Sequence, residues 1–295
     1  MQPLITEVAF VQLQQKQAAN SGVKANTYHV GSVITTFVNH SVYQAVNMKA
    51  ASKIEQSKEI IRLVSQKTNR AILFYSTGKD SIVTLDLMHP YFEEIVCVFM
   101  YFVRDLDHIN KYLNWAHTKY PNVTIVQCPH WNLTYLLRSG VFCVPNPNVK
   151  VFKVAKVDEA MRLKHNINFS FYGMKKADSM NRRLMLNTYE NAISNTNKVY
   201  PLADWTNKEV LAYMKAHKLP EPVRYSTNAS GGVGFNIECY LWMRHNATAD
   251  LAKVLKTFPM SEKLLYDFDT FKAQKQRELK QPLTDECALK LYKQR

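Results

Sequence analysis

The sequence predicts an α/β fold: an open, mostly parallel sheet with helices on both faces, an N-terminal arm and a helical C-terminal region. Two observations carry this expectation. Apolar, β-branched runs alternate with segments of helical periodicity from about residue 49 to 225. The clearest of these runs, "EEIVCVFMYF", is apolar almost throughout, as in strands covered on both faces.

The elements follow in chain order. Residues 1–48 hold only Glu7, Lys16 and Lys24 as charged groups and read as a short strand or an extended arm against a neighbour. "MKAASKIEQSKEIIRLVSQK" places Ala51, Ile54, Ile60, Ile61 and Val64 near one face, which predicts a helix over 48–67. A strand follows at 71–75, then the turn "STGKDS" and a helix from Asp80 to Met88, stopped by His89-Pro90. "EEIVCVFMYF" is a second strand, "DHINKYLNWAHTKY" a helix and "NVTIVQC" a third strand. Residues 129–165 combine a short helix, a Pro/Asn loop and another helix, and "INFSFYGMKK" is a strand leading into a turn. Residues 178–194 read as helical. "KVYPLADWTNKEV" is a short strand and a helix capped reciprocally by Thr206 and Glu209. After the loop "YSTNASGGVGFN" the periodicity is helical, and the tail from Lys272 holds seven Lys/Arg against three Asp/Glu. The expected divisions are an arm at 1–48, a nucleotide-binding core at 49–225 and a basic helical region at 226–295.

The composition of the 295 residues, 46% hydrophobic and 21% charged, is that of a folded chain, not a disordered one. No run of 18 uncharged apolar residues is present, and "MQPLITEVAF" lacks the basic-then-apolar pattern of a secretory signal, so no membrane association is expected. The five cysteines, Cys97, Cys128, Cys143, Cys239 and Cys287, form no CxxC pair; reduced thiols in the cytoplasm are expected. A net charge of +14 favours anionic partners, such as nucleotides, nucleic acid or an acidic protein surface, or else forms a solvated basic surface.

The turn after the first strand is the principal candidate site. A strand that opens a helix through small polar residues presents free backbone N–H groups and the positive end of the helix dipole, which suit phosphate oxygens. Gly78 permits a tight turn, and Ser76, Thr77 and Ser81 carry hydroxyl donors. Lys79 supplies charge if it points inward, and Asp80 either holds Mg²⁺ or caps amides at the helix start. The turn is neither GxxxxGK[ST] nor GxGxxG, and an ordinary capped turn stays open at this point.

"STGKDS" resembles the pyrophosphate loop SGGKDS of the adenine-nucleotide α-hydrolase-like (PP-loop) superfamily, with Thr77 in place of the first Gly. Such a Thr fits without strain only if its position has no positive φ. "YGMKKADSMNRR" resembles the GxRxxDSxxR block of the phosphoadenosine phosphosulfate reductase and ATP sulfurylase small-subunit family: Gly173, Asp178, Ser179 and Arg182 match, and Lys175 stands where Arg is usual. "VYPLADWTNKEVLAYMKAHKLP" is similar to that family's segment after the block, through Pro201, Leu202, Asp204, Trp205 and Pro220 among others.

The resemblance implies an adenine nucleotide, ATP or a relative, bound by 76–81 with Lys175, Arg182 and Arg183 against its phosphates, and Mg²⁺ at Asp80. It implies adenylyl-transfer or sulfurtransferase-like chemistry at Asp80 and Lys79. A thiol-dependent phosphoadenosine phosphosulfate reductase is the first alternative, with Cys287 in "TDECALKLY" as nucleophile; that segment keeps the Glu and Cys of the family's ECGLH-like tail but not its Gly or His. The paired cysteines of the iron–sulfur members are missing after the Trp block, so no such cluster is expected. A family fold recruited as a scaffold, with the N-terminal arm mediating self-association or assembly, is the other alternative.

Overall fold

The computed structural model describes residues 52–225 and 234–294. The expected N-terminal arm, the start of the first expected helix and most of the Gly/Ser/Asn loop lie outside these residues.

Five parallel strands form one sheet in the order β3-β2-β1-β4-β5, with β1 at Arg70–Phe74, β2 at Glu94–Tyr101, β3 at Val123–Pro129, β4 at Ser170–Phe171 and β5 at Lys198–Val199. The register pairs Leu73 with Cys97 on one side and with Phe171 on the other. β1 is central and buried from Ala71 to Phe74, which explains its unbroken apolar run. The chain winds outward from β1 to β3 and returns to the other side of β1 at β4. The crevice beyond the carboxyl ends of β1 and β4 is therefore the topological switch point of the sheet, where open α/β sheets bind ligands.

The helices are α1 Lys53–Ser65, α2 Lys79–Met88, α3 Asp107–Lys119, α4 Trp131–Ser139, α5 Val154–His165, α6 Met180–Asn187 and α7 Asn207–Ala216. They continue with α8 Ile237–Asn246, α9 Thr248–Thr257, α10 Lys263–Leu279 and α11 Asp285–Tyr292. Successive strand residues point to opposite faces. Ile72, Phe74, Val96 and Val98 pack on one face with Ile167, Tyr172, Leu186 and Tyr200, and Phe74, Tyr172, Tyr200 and Tyr189 stack in series. α2 packs against α1 and α7. Its Asp86 carboxylate accepts from Tyr120 Oη at 2.6 Å and Tyr213 Oη at 2.9 Å, which ties α2 to the end of α3 and to α7.

Local signals act as expected in α7, where Thr206 and Glu209 form the reciprocal cap. Trp205 is buried and donates its indole N–H to Ser57 Oγ at 2.8 Å, so it anchors α1 against this segment. The helix expected over 178–194 is shorter. Ser179 caps α6, which ends at Asn187, and Asn191 and Ala192 take positive φ angles of 50° and 55° that no α-helix accommodates.

The Asp250 carboxylate, from α9, accepts the Asp107 and His108 backbone N–H groups at 2.8 and 2.9 Å and so caps α3 from 142 residues away in sequence. His108 Nδ1 also lies 2.6 Å from Asp250 Oδ2, and its Nε2 is 2.7 Å from Tyr225 Oη. Burial alone would raise the Asp250 carboxyl, but these amides and the imidazole hold it below the usual carboxylate range. This knot joins α9 to the start of α3.

Candidate active site

A cleft of about 680 Å³ opens at the switch point. Its polar end is built by the turn after β1 and the segment after β4, and its apolar end by residues that follow β2 and β3.

At the polar end, Gly78 precedes α2 with no side chain capping the helix, so the first amides of α2 remain available to an anion. Ser81 Oγ donates to Gly78 O at 2.9 Å and Ser76 Oγ to Ser81 Oγ at 3.3 Å, which shapes the turn. The conformation of the turn differs from the sequence expectation in one respect. Gly78 has an ordinary extended backbone (φ −84°), whereas Thr77 carries the positive φ, 58°. A buried β-branched residue in the left-handed region costs roughly 1–2 kcal/mol, so the loop holds strain where the family pattern has Gly.

The second block meets the first directly. A Cβ on Gly173 would lie 2.9–3.0 Å from the backbone of Asp80, so only glycine permits this approach of the β4 turn to α2. Lys175 follows, and no part of its side chain reaches solvent. Its Nζ is 2.6 Å from Asp80 Oδ1 and 3.0 Å from Asp178 Oδ1, ion-pair distances whose angles leave the ammonium without a directed hydrogen bond. Lys79 Nζ reaches the other Asp80 oxygen at 3.0 Å, and Arg182 Nη1 reaches Asp178 Oδ2 at 2.6 Å. Burial would raise the Asp178 carboxyl, but the Lys175 amide and ammonium and the Arg182 guanidinium hold it below its ordinary value. Three cations thus face two carboxylates, a balance that favours an added anion.

Most of the predicted residues converge here. Ser76, Gly78, Lys79, Asp80, Ser81, Gly173, Asp178 and Arg182 line the cleft, and Lys175 and Thr77 support it from behind. Ser179 caps α6. Arg183 is exposed and is not part of the lining. Cys287 is exposed on α11 and also lies outside the lining. Burial pushes the thiols of Cys97, Cys128 and Cys143 up, and that of Cys239 up to about 11.

Sequence reasoning missed the apolar end: Met100, Phe102, Val103, Leu106, Ile109, His130 and Trp131. Phe102 and His130 stack with centroids 4.4 Å apart, and burial lowers the imidazole's pKa, which favours the neutral ring. Position was the available signal, because residues just past the carboxyl ends of β2 and β3 border the ligand crevice of an open sheet. The face is aromatic and largely apolar, chemistry that suits a planar heterocycle.

Among the described residues, no three His, Cys, Asp or Glu side chains gather as a metal cage, and no helix is long and apolar enough to cross a membrane.

The sequence profile of the phosphoadenosine phosphosulfate reductase domain matches residues 70–226. No curated protein matches the chain. Similar solved structures include the U34-tRNA thiolase NcsA of Methanococcus maripaludis with its 4Fe-4S cluster, at 14% identity, covering 71% of this chain and 79% of that one, with a TM-score of 0.38. The phosphoadenylyl-sulfate reductase of Candida auris, a phosphate complex, is 14% identical over 56% of this chain and 81% of that one, with a TM-score of 0.37. The NH3-dependent NAD synthetase of Campylobacter jejuni is 12% identical over 74% and 95%, with a TM-score of 0.36. The profile match takes in the glycine turn, the Gly173–Arg182 block and the Trp205 segment, more than half of the chain, and the protein belongs to the phosphoadenosine phosphosulfate reductase domain family.

Proposed function

We propose that the cleft binds an adenine nucleotide, ATP in the first instance, and supports adenylyl transfer or sulfur-transfer chemistry. The observation that carries this reading is the junction of the two blocks: the uncapped start of α2, Gly173 against Asp80, and Lys175 between Asp80 and Asp178. The α2 amides and Lys79 take the terminal phosphates, Arg182 bridges from the other wall, and the Phe102–His130 stack takes the base.

In adenylyl transfer, an acceptor atom attacks the α-phosphorus, the bond to the bridging oxygen breaks and pyrophosphate leaves. This chain's contribution is to hold the charge that builds on the leaving group, through fixed amides and Lys79, without reorganisation. Asp80 serves in this reading as the partner that aims two lysines. Both of its oxygens already face ammonium groups, an arrangement that fits Mg²⁺ poorly. The reductase alternative gains no support from the geometry, because no thiol is among the residues that line the cleft.

The test is equilibrium binding of ATP, AMP and phosphoadenosine phosphosulfate to the full chain, with pyrophosphate release measured on the same samples. ATP binding that is lost in Asp80→Ala and Arg182→Ala supports the reading. Absence of nucleotide binding refutes it. Thiol-dependent sulfite release abolished by Cys287→Ser would replace it with the reductase alternative.

A further inference from the structure

We infer that the surface of α4 and the loop that follows it form a docking track for single-stranded nucleic acid beside the cleft. If the proposed nucleotide site holds, this track supplies the acceptor, and the inference rests on that reading for the acceptor role only.

The helix α4 is amphipathic in an unusual sense. Leu133 and Leu136 are buried, while Trp131, Tyr135 and Arg138 stand on the other side at i, i+4 and i+7, one stripe of the helix. Both aromatic rings are substantially exposed, Trp131 at 38% and Tyr135 at 53%. Phe152 joins the stripe from the following loop: its backbone N–H donates to Thr134 Oγ1 at 3.2 Å, and its ring is 42% exposed. Lys150 Nζ lies 6.0 Å from the Phe152 ring centroid. The loop is anchored to the body of the protein, since Phe142 O accepts from Met260 N at 3.0 Å and Leu137 O from Asn146 N at 2.9 Å.

Charge identifies the occupant. From Pro129 to Val157 the chain holds four Lys/Arg and no Asp or Glu. The ion pairs of the described residues leave Arg138, Lys150 and Lys153 without a carboxylate, whereas Lys156 is matched to Glu159. Exposed rings interleaved with free cations offer stacking surfaces for bases and charges for the backbone between them, the combination that binds single strands without reading a sequence. A protein partner would be served by the rings alone, and a duplex would present its phosphates but no base faces to them. The stripe begins at Trp131, which also lines the cleft, so a strand laid along it delivers a base or a terminal phosphate to the site's mouth.

The experiment is fluorescence anisotropy of labelled dT20 and rU20 with the full chain at 50, 100 and 200 mM NaCl. Saturable binding is expected, weakened at least about tenfold in Tyr135→Ala/Phe152→Ala and preserved in Tyr135→Phe, on the basis of about 1–3 kcal/mol per stacked base. Lys150→Ala/Lys153→Ala should weaken binding and reduce the slope of log K against log salt by about 1.4. All substituted side chains are exposed, so unchanged melting temperatures identify the variants as folded. No binding at 50 mM NaCl, affinity equal to wild type in the aromatic or the lysine variant, tighter binding of a duplex, or binding only to phosphatidylserine vesicles overturns the inference. ATP binding measured in the same variants separates the two claims. ATP binding without dT20 or rU20 binding refutes the track alone, and strand binding without ATP binding refutes the nucleotide reading alone.

Discussion

Replacing Lys175 by methionine tests the central feature of the site. The substitution keeps the length of the side chain and removes the ammonium that stands between Asp80 and Asp178. Lys175 is fully buried, and the side chains of its two partners are only 24% and 17% exposed, so solvent cannot replace the lost charge. Removing one member of a buried ion pair costs about 3–5 kcal/mol. Here Lys79 remains with Asp80 and Arg182 with Asp178, which places the expected cost near the lower end, about 3 kcal/mol. For a unit of this size that corresponds to a fall in Tm of roughly 6–12 °C. Urea denaturation and calorimetry of wild type, Lys175→Met, Asp80→Asn and the double variant measure it. The double-mutant cycle should return a coupling of at least about 1 kcal/mol between positions 80 and 175. A Lys175→Met protein within about 1 kcal/mol of wild type, or additive single variants, would refute the claim that this lysine joins the two loops.

Three other outcomes follow from the same geometry. Gly173→Ala places a Cβ within 2.9–3.0 Å of the Asp80 backbone and should destabilise by about 1–3 kcal/mol while reducing nucleotide affinity, both measurable by denaturation with and without ATP. Thr77→Gly relieves left-handed strain of roughly 1–2 kcal/mol but adds freedom to the unfolded chain and removes buried contacts, so urea unfolding should shift by no more than about 1 kcal/mol. A loss beyond about 2 kcal/mol would show that the Thr77 side chain holds the loop. Glu209 is held at about 2, first by the Lys53 ammonium and then by the Thr206 amide. Its folded-state value lies below the unfolded one, so its contribution is present above the ordinary carboxylate range and fades as pH falls toward 2. In Lys53→Ala the acid-unfolding midpoint, followed by circular dichroism, should move to higher pH, and the difference from wild type should vanish below about pH 2.

The elements were legible in the sequence because they rest on local rules. The apolar run before Ser76, the His89-Pro90 stop and the Thr206/Glu209 cap each act over a few residues, and each forms where it was expected. The polar half of the site was legible for a different reason. Its residues sit in two short blocks that the resemblance to a family's motifs marks out, whereas the turn and helix signals alone leave an ordinary capped turn open. Where expectation failed, the cause was non-local. The helix expected through residue 194 stops at Asn187, because the chain must turn at Asn191 and Ala192 to reach β5.

By itself, then, the sequence determined the α/β class and the glycine turn after β1, since strand, turn and helix signals are written in consecutive residues, and its resemblance to a family's motifs marked the Gly173–Arg182 block as a second part of the site. Only the tertiary structure decided that Thr77, not Gly78, carries the left-handed conformation, because the φ of a turn residue depends on where both of its flanks are anchored. Only the tertiary structure brought Lys175 between Asp80 and Asp178, set Asp250 at the start of α3, and assembled Phe102 and His130 into the cleft's apolar wall. Those contacts join residues far apart in sequence, and strand order, on which they depend, has no local signature.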